Sequence, residues 1–139
     1  MNAEVKEIQE EILTRVKRGE PVMDILLNIK CLQRLGLTNE WMISNNFIRV
    51  VYKTKYNYVH EKTGKFLSSV WFDWVDLFDF EFGKVKLNGK WNYIGRDGEI
   101  LSPFDWFDSC TCFQGEKAVV KSGDREGFIY RNGMVVFDN

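Results

Sequence analysis

The chain is poor in the residues that carry most enzyme chemistry. Its 139 residues hold one histidine (His60), three cysteines (Cys31, Cys110, Cys112) and two prolines. A single histidine cannot assemble a His-rich metal site, and His60-Glu61-Lys62-Thr63-Gly64 reads as a turn with that histidine exposed. An odd cysteine count gives no closed disulfide framework and fits a reducing compartment. Cys110 and Cys112 fall on one face of a strand if their segment is extended, as half-buried thiols. No apolar run approaches the roughly 18–20 residues that cross a bilayer. The first residues show no basic-then-apolar leader, so the expected location is the cytoplasm. An excess of either charge is also missing: 19 basic side chains face 20 acidic ones, for a net charge of −1 and a pI near 5.9. That balance argues against a general nucleic-acid or anionic-membrane binder. There is no Gly-x-Ser-x-Gly, no Gly-rich phosphate loop and no His-Glu-x-x-His. The sequence thus predicts no catalytic residue, no cofactor and no metal.

Aromatic residues are what the chain has in abundance, at 15% of residues within a hydrophobic share of 45%. That suffices for one domain, residues 1–139, with a core built largely from rings. The block Lys84–Leu101 reads as an extended run, Asn88-Gly89, a second run, Asp97-Gly98 and a third. Asn-Gly and Asp-Gly favour type I′ turns, so the block predicts two tight turns and three antiparallel strands.

The block has copies on either side. The pairs Tyr58-Val59, Tyr93-Ile94 and Phe128-Ile129 recur every 35 residues. Each is followed by a turn glycine (Gly64, Gly98, Gly133) and preceded by a polar turn (Lys53-Thr54, Asn88-Gly89, Gly123-Asp124). A second word, Phe72-Asp73-Trp74-Val75-Asp76, matches Phe104-Asp105-Trp106-Phe107-Asp108 at an offset of 32. Three repeat units follow, about 47–82, 83–115 and 116–139, within a β region 46–139. Ile48, Val50 and Tyr52 alternate with Arg49, Val51 and Lys53 in its first strand, and Lys65–Val70 reads as a strand. In the run Leu77–Phe82, alternation places Phe78, Phe80 and Phe82 on one face.

The order Val85–Leu101, Ser102-Pro103, Asp105 and Phe113-Gln114-Gly115-Glu116-Lys117-Ala118-Val119-Val120 resembles the WG-repeat (KWG) family of bacterial β-repeat proteins. The literal Trp-Gly is replaced by Trp91-Asn92, Glu126-Gly127 and Tyr56-Asn57. The resemblance implies a β scaffold and carries no catalytic mechanism with it.

Ahead of the repeats, residues 1–45 read as a helical cap. Val5, Ile8, Ile12 and Val16 form an apolar stripe, with Asn2 as cap, acids at the first turn, bases at the last and Gly19 as terminator. Pro21 opens a second helix carrying Val22, Ile25, Leu26, Ile29 and Leu32 and closing at Gly36, which completes a helical hairpin over 3–36. Thr38–Ser44 reads as a short further turn, with Trp41 and Met42 facing the core. A helix-turn-helix over Leu26–Ser44 is disfavoured by six basic against seven acidic side chains in residues 1–45. The predicted fold is α+β: an N-terminal helical hairpin on an antiparallel meander of about three degenerate hairpin repeats.

The tract 72–82 carries Asp73, Asp76, Asp79 and Glu81 with no basic residue. With Trp74, and with Asp105, Trp106 and Asp108 of the second word, it forms the candidate partner-binding set. Two readings stand beside each other. In one, the rings face the core while the acids start turns and charge the solvent face. In the other, an acidic surface with aromatic anchors meets a basic protein. The expected function is therefore a non-enzymatic interaction module, of the inhibitor or immunity kind, for a basic partner such as a toxin or nuclease. The alternatives are a carbohydrate- or small-ligand-binding module using Trp74 and Trp106, and a purely structural scaffold. The basic band Lys84, Lys86, Lys90 and Arg96 reads as a solvated strand face, and the C-terminal strand as able to pair with a second copy.

Overall fold

The computed structural model describes residues 3–27, 36–37 and 43–137. Among these residues, two helices, α1 (Ala3–Lys17) and α2 (Val22–Leu27), precede eleven strands: β1 (Gly36–Leu37), β2 (Ile43–Ser44), β3 (Phe47–Tyr52), β4 (Lys55–His60), β5 (Trp74–Val75), β6 (Phe82–Leu87), β7 (Lys90–Gly95), β8 (Ser109–Cys110), β9 (Lys117–Ser122), β10 (Arg125–Tyr130) and β11 (Val135–Phe137). The fold is α+β, and every strand pairing is antiparallel. Among the described residues, no helix is long and apolar enough to cross a membrane.

The 35-residue period becomes three hairpins: β3–β4, β6–β7 and β9–β10. Their tight turns sit at Lys53, Asn88 and Gly123, with φ of +57°, +53° and +60°. Asn88 and Gly89 both have positive φ, as a type I′ turn requires. The Asp97-Gly98 turn differs from expectation. Only Gly98 is left-handed, at φ +84°, and its N–H bonds back to the Gly95 carbonyl.

Each connection between hairpins follows one path. A two-residue strand covers the outer edge of the next hairpin: Trp74-Val75 on Lys86-Val85, and Ser109-Cys110 on Lys121-Val120. A tight turn then closes through the Asp79–Phe82 and Gln114–Lys117 bridges. Gly36-Leu37 on Val51-Val50, followed by Ser44 on Phe47, repeats this path ahead of the first hairpin. Gly36 is therefore strand rather than a helix terminator, because the edge of β3 needs the same backbone partners as those of β6 and β9. Likewise Ile43-Ser44 is strand, not helix. Asn2, Ile29, Cys31, Leu32, Thr38, Trp41 and Met42 lie outside the described residues, so α2 is described only to Leu27.

The layers stack front to back. Val5, Ile8, Ile12, Val22, Ile25 and Leu26 of the helices bury the rear face of the first sheet at Ile48, Val50 and Val59. The front of that sheet, Phe47 and Tyr58, packs on Val85 and Ile94 of the second. Tyr93, on the front of the second, packs on Val120 and Ile129 of the third. The turn glycines mark the close approaches. A Cβ at Gly98 would stand 2.4 Å from the Leu67 carbonyl oxygen, and one at Gly133 2.5 Å from that of Leu101. At Gly64 the neighbour is Ile12 of α1, at 2.6 Å. The helices thus occupy the place that a preceding repeat takes elsewhere, as terminal elements of repeat arrays do.

Lys65–Val70 is not a strand. Phe66 makes one bridge to Val59, and then the buried Asn57 draws the chain away: its amide donates to the Ser68 carbonyl at 2.8 Å, and its oxygen accepts from the Tyr58 and Ser68 N–H groups. Asn92 does the same, donating to the Ser102 and Asp105 carbonyls and accepting from Tyr93. The third unit has Gly127 there, and β11 runs on beside β10 as far as Phe137.

Candidate functional site

The second sequence word pairs differently in space. Phe72 bridges Tyr56 and Phe107 bridges Trp91, so the equivalents are Phe72 and Phe107, Asp73 and Asp108, and Trp71 and Trp106. The match at offset 32 aligned Phe72 with Phe104, whose ring is 95% exposed on the loop before Trp106. The word match therefore falls three residues short of the register, since the backbone bridges keep the 35-residue spacing.

Asp73 and Asp108 fasten one unit to the next. Asp73 pairs with Lys55 of its own hairpin and accepts the Asn88 N–H of the following turn at 2.7 Å. Asp108 accepts the Gly123 N–H at 2.6 Å and pairs with Lys90. Lys55, then the Asn88 amide, holds the Asp73 carboxyl below its ordinary range; the Gly123 amide, then Lys90, does the same for Asp108. Two tyrosines add matching clamps: Tyr58 and Tyr93 donate their hydroxyls to the Asp76 and Thr111 carbonyls, each at 2.5 Å. Burial raises both phenol pKa values. A Cβ at Gly83 would meet the Tyr58 hydroxyl at 2.3 Å, which explains a glycine in the middle of β6.

The tryptophans are engaged. Trp74 is 37% exposed, donates its Nε1–H to Asp76 at 2.7 Å and holds the Arg49 guanidinium 4.6 Å from its ring centroid. Trp106 is half-buried against the core between the first and second sheets. Asp105 is exposed beside the Ser102 hydroxyl. His60 ends β4 rather than lying exposed in a turn: it is half-buried with its ring edge-on to Phe47 at 5.4 Å, and its Nδ1 accepts the Lys62 and Thr63 N–H groups. Among the described residues, no group of three or more His, Cys, Asp or Glu is placed to hold a metal ion. Cys110 is half-buried and Cys112 exposed, in a segment that leaves the strand after Cys110. Burial raises the Cys110 thiol pKa.

Three of the predicted acids do meet in one place. Asp76, Asp79 and Glu81 line a cleft of about 210 Å³ with Leu77, Phe80, Phe82, Lys84, Tyr93, Cys112, Phe113 and Arg131. Lys84 lies 3.5 Å from Asp76, and Arg131 lies 3.2 Å from Glu81. Arg131 is held further by the Gly115 carbonyl and stacks over Phe113 at 5.1 Å. The Asp79 carboxylate has no basic partner among the described residues. Asp73, Trp74, Asp105, Trp106 and Asp108 do not line this cleft.

Phe80 sits at its rim and breaks two local rules. Its φ is +44° and it is 76% exposed. The residues in equivalent positions are Asn45 at φ +51° and Gly115 at φ +67°, both of types that tolerate the left-handed region. The expected strand Leu77–Phe82 is a reversal here: Phe78 is buried, Phe80 points out and Phe82 is half-buried, because the Asp79–Phe82 bridge closes a tight turn. Sequence reading missed the role of Phe80, although aligning 45, 80 and 115 exposes the anomaly. Phe113, Lys84 and Arg131 were missed for lack of a local signal. No family model matches the chain, and no curated protein matches it.

Proposed function

We propose that the chain is a cytoplasmic, non-enzymatic interaction module on a divergent WG-like β scaffold, and that its cleft receives a basic side chain of a protein partner. Phe80 carries the reading. A bulky ring held in the left-handed region and displayed to solvent costs stability and returns little packing, so it marks selection for contact. Around it the cleft offers the exposed Phe80 ring, apolar edges of Phe82 and Phe113, whose faces already stack on each other and under Arg131, and the Asp79 carboxylate, which has no basic partner among the described residues. Aromatic faces and a carboxylate are the two groups that attract a guanidinium or ammonium. A partner of the toxin or nuclease kind, basic and in need of blocking, fits this chemistry, which makes an inhibitor or immunity role the specific form of the proposal.

The test is an NMR titration with N-acetylarginine amide. Saturable shifts confined to residues 76–84, 112, 113 and 131 are expected, and they vanish in Phe80→Asn and Asp79→Asn while persisting in Asp105→Asn. Equal shifts in all three variants, or shifts spread over every acidic residue, would leave the chain as a plain scaffold.

A further inference from the structure

A second hollow of about 460 Å³ adjoins the cleft and shares Glu81, Phe82 and Arg131 with it. Its floor is Ile100 and Leu101, and its wall carries Arg96, Asp97 and Glu99. The Glu81–Arg131 ion pair stands on the ridge between the two. Both arginines at this ridge are already bound. Arg96 donates to the Asn45 and Phe80 carbonyls at 2.9 Å and to Asn46 Oδ1 at 2.8 Å, while Arg131 donates to the Gly115 carbonyl at 2.6 Å. Among the described residues, no basic side chain pairs with Asp79, Asp97 or Glu99. Each hollow therefore joins an apolar surface to carboxylates without an ion-pair partner among the described residues, and across both hollows five carboxylates (Asp76, Asp79, Glu81, Asp97, Glu99) outnumber three cations (Lys84, Arg96, Arg131).

We infer that the two hollows form one groove that binds an extended basic peptide segment, with two cationic side chains two residues apart straddling the Glu81–Arg131 ridge. The inference rests on the reading above and adds the partner's form to it. Residues i and i+2 of an extended strand point to one side about 7 Å apart, whereas i and i+1 point to opposite sides. Charge complementarity decides the occupant: the carboxylates meet the cations while Ile100, Leu101 and the phenylalanines take the aliphatic stems.

The test uses fluorescein-labelled hexapeptides in a Ser/Val background, read by anisotropy at fixed salt. One carries a single arginine, and two carry a pair at i,i+1 or i,i+2. The i,i+2 peptide is expected to bind about three- to fivefold tighter than the single-arginine peptide, and i,i+1 about as weakly as the single one, since the second contact is a partly exposed ion pair. Glu99→Gln removes the gain from the second arginine and leaves single-arginine binding unchanged, whereas Asp79→Asn weakens every peptide. Equal affinity for both spacings, or no effect of Glu99→Gln, overturns the groove while sparing the single-cation cleft. Single-arginine binding indifferent to Phe80→Asn sinks the functional reading itself. Sedimentation showing a concentration-dependent dimer that Phe80→Asn abolishes makes a second copy the occupant and overturns the peptide assignment.

Discussion

Replacing Phe80 with glycine separates display from structure. Its left-handed backbone costs a non-glycine residue about 1–2 kcal/mol, which the substitution relieves. Glycine gives back roughly 0.5–1 kcal/mol through the larger entropy of its unfolded chain. The ring is 76% exposed, so only a quarter of it is covered. For a side chain of roughly 200 Å² that is about 50 Å², or about 1 kcal/mol at 25 cal/mol per Å². These contributions nearly cancel. Phe80→Gly should therefore change stability by less than about 1 kcal/mol, against the roughly 3–5 kcal/mol lost when a buried phenylalanine such as Phe78 is cut to alanine. Urea unfolding followed by tryptophan fluorescence measures both, and arginine binding is measured on the same samples. Gly115→Ala supplies the control: nothing lies within 4 Å of its added Cβ and its φ is +67°, so it isolates the conformational cost at about 1 kcal/mol. A loss above about 2 kcal/mol in Phe80→Gly would show that the ring packs structurally and is not displayed for a partner.

Gly98→Ala combines a left-handed φ with a Cβ that meets a backbone oxygen, and Gly64→Ala combines one with a Cβ against the stiff, fully buried Ile12, so each should lose more than about 2 kcal/mol in urea melts. Asn92→Ala takes the amide partner from the buried Tyr93 N–H and the Asp105 carbonyl, while the Ser102 carbonyl keeps the Asp105 N–H; a loss of about 2–4 kcal/mol is expected, and a loss below about 1 kcal/mol would deny the clamp its role. Asp73 and Asp108 have folded pKa values below the ordinary 3.8, so their contribution is present above that value and disappears as pH falls through the folded values. Acid titration below about pH 4 should therefore show a shallower loss of stability in Asp73→Asn and Asp108→Asn than in the parent, and superimposable curves would contradict the assignment. Lys117 and Glu126 stand where the other units have Phe47, Phe82, Tyr56 and Trp91, and Lys117 lies over the Phe128 ring. Lys117→Phe with Glu126→Trp should turn this polar end face into a stacking surface and produce concentration-dependent dimers in sedimentation.

Much of the architecture was legible because its signals are short. Three aromatic-aliphatic pairs at constant spacing gave the hairpins, and Asn88-Gly89 gave its turn. The helix stripe Val5, Ile8, Ile12 gave the face that meets the first sheet. The site was legible only in part. Asp76, Asp79 and Glu81 were read as acids near rings, and they line the cleft; Asp73 and Asp108 were read the same way and fasten turns instead. A carboxylate looks alike in both settings, since what differs is the amide that reaches it from the next unit, fifteen residues away for both Asn88 and Gly123.

What the sequence determined alone is whatever a few neighbouring residues fix: the sign of φ at Asn88-Gly89 and the period of the hairpins, whereas the alternation in β3 read as a half-buried strand and both its faces are buried. What the tertiary structure decided is how consecutive units meet. That Asn57 ends a strand, that Gly98 touches Leu67, and that Arg131 reaches back to Glu81 depend on atoms from separate layers coming within hydrogen-bond or van der Waals range. Local patterning carries no distance between layers. The cleft exists only once the packed rings have set that distance.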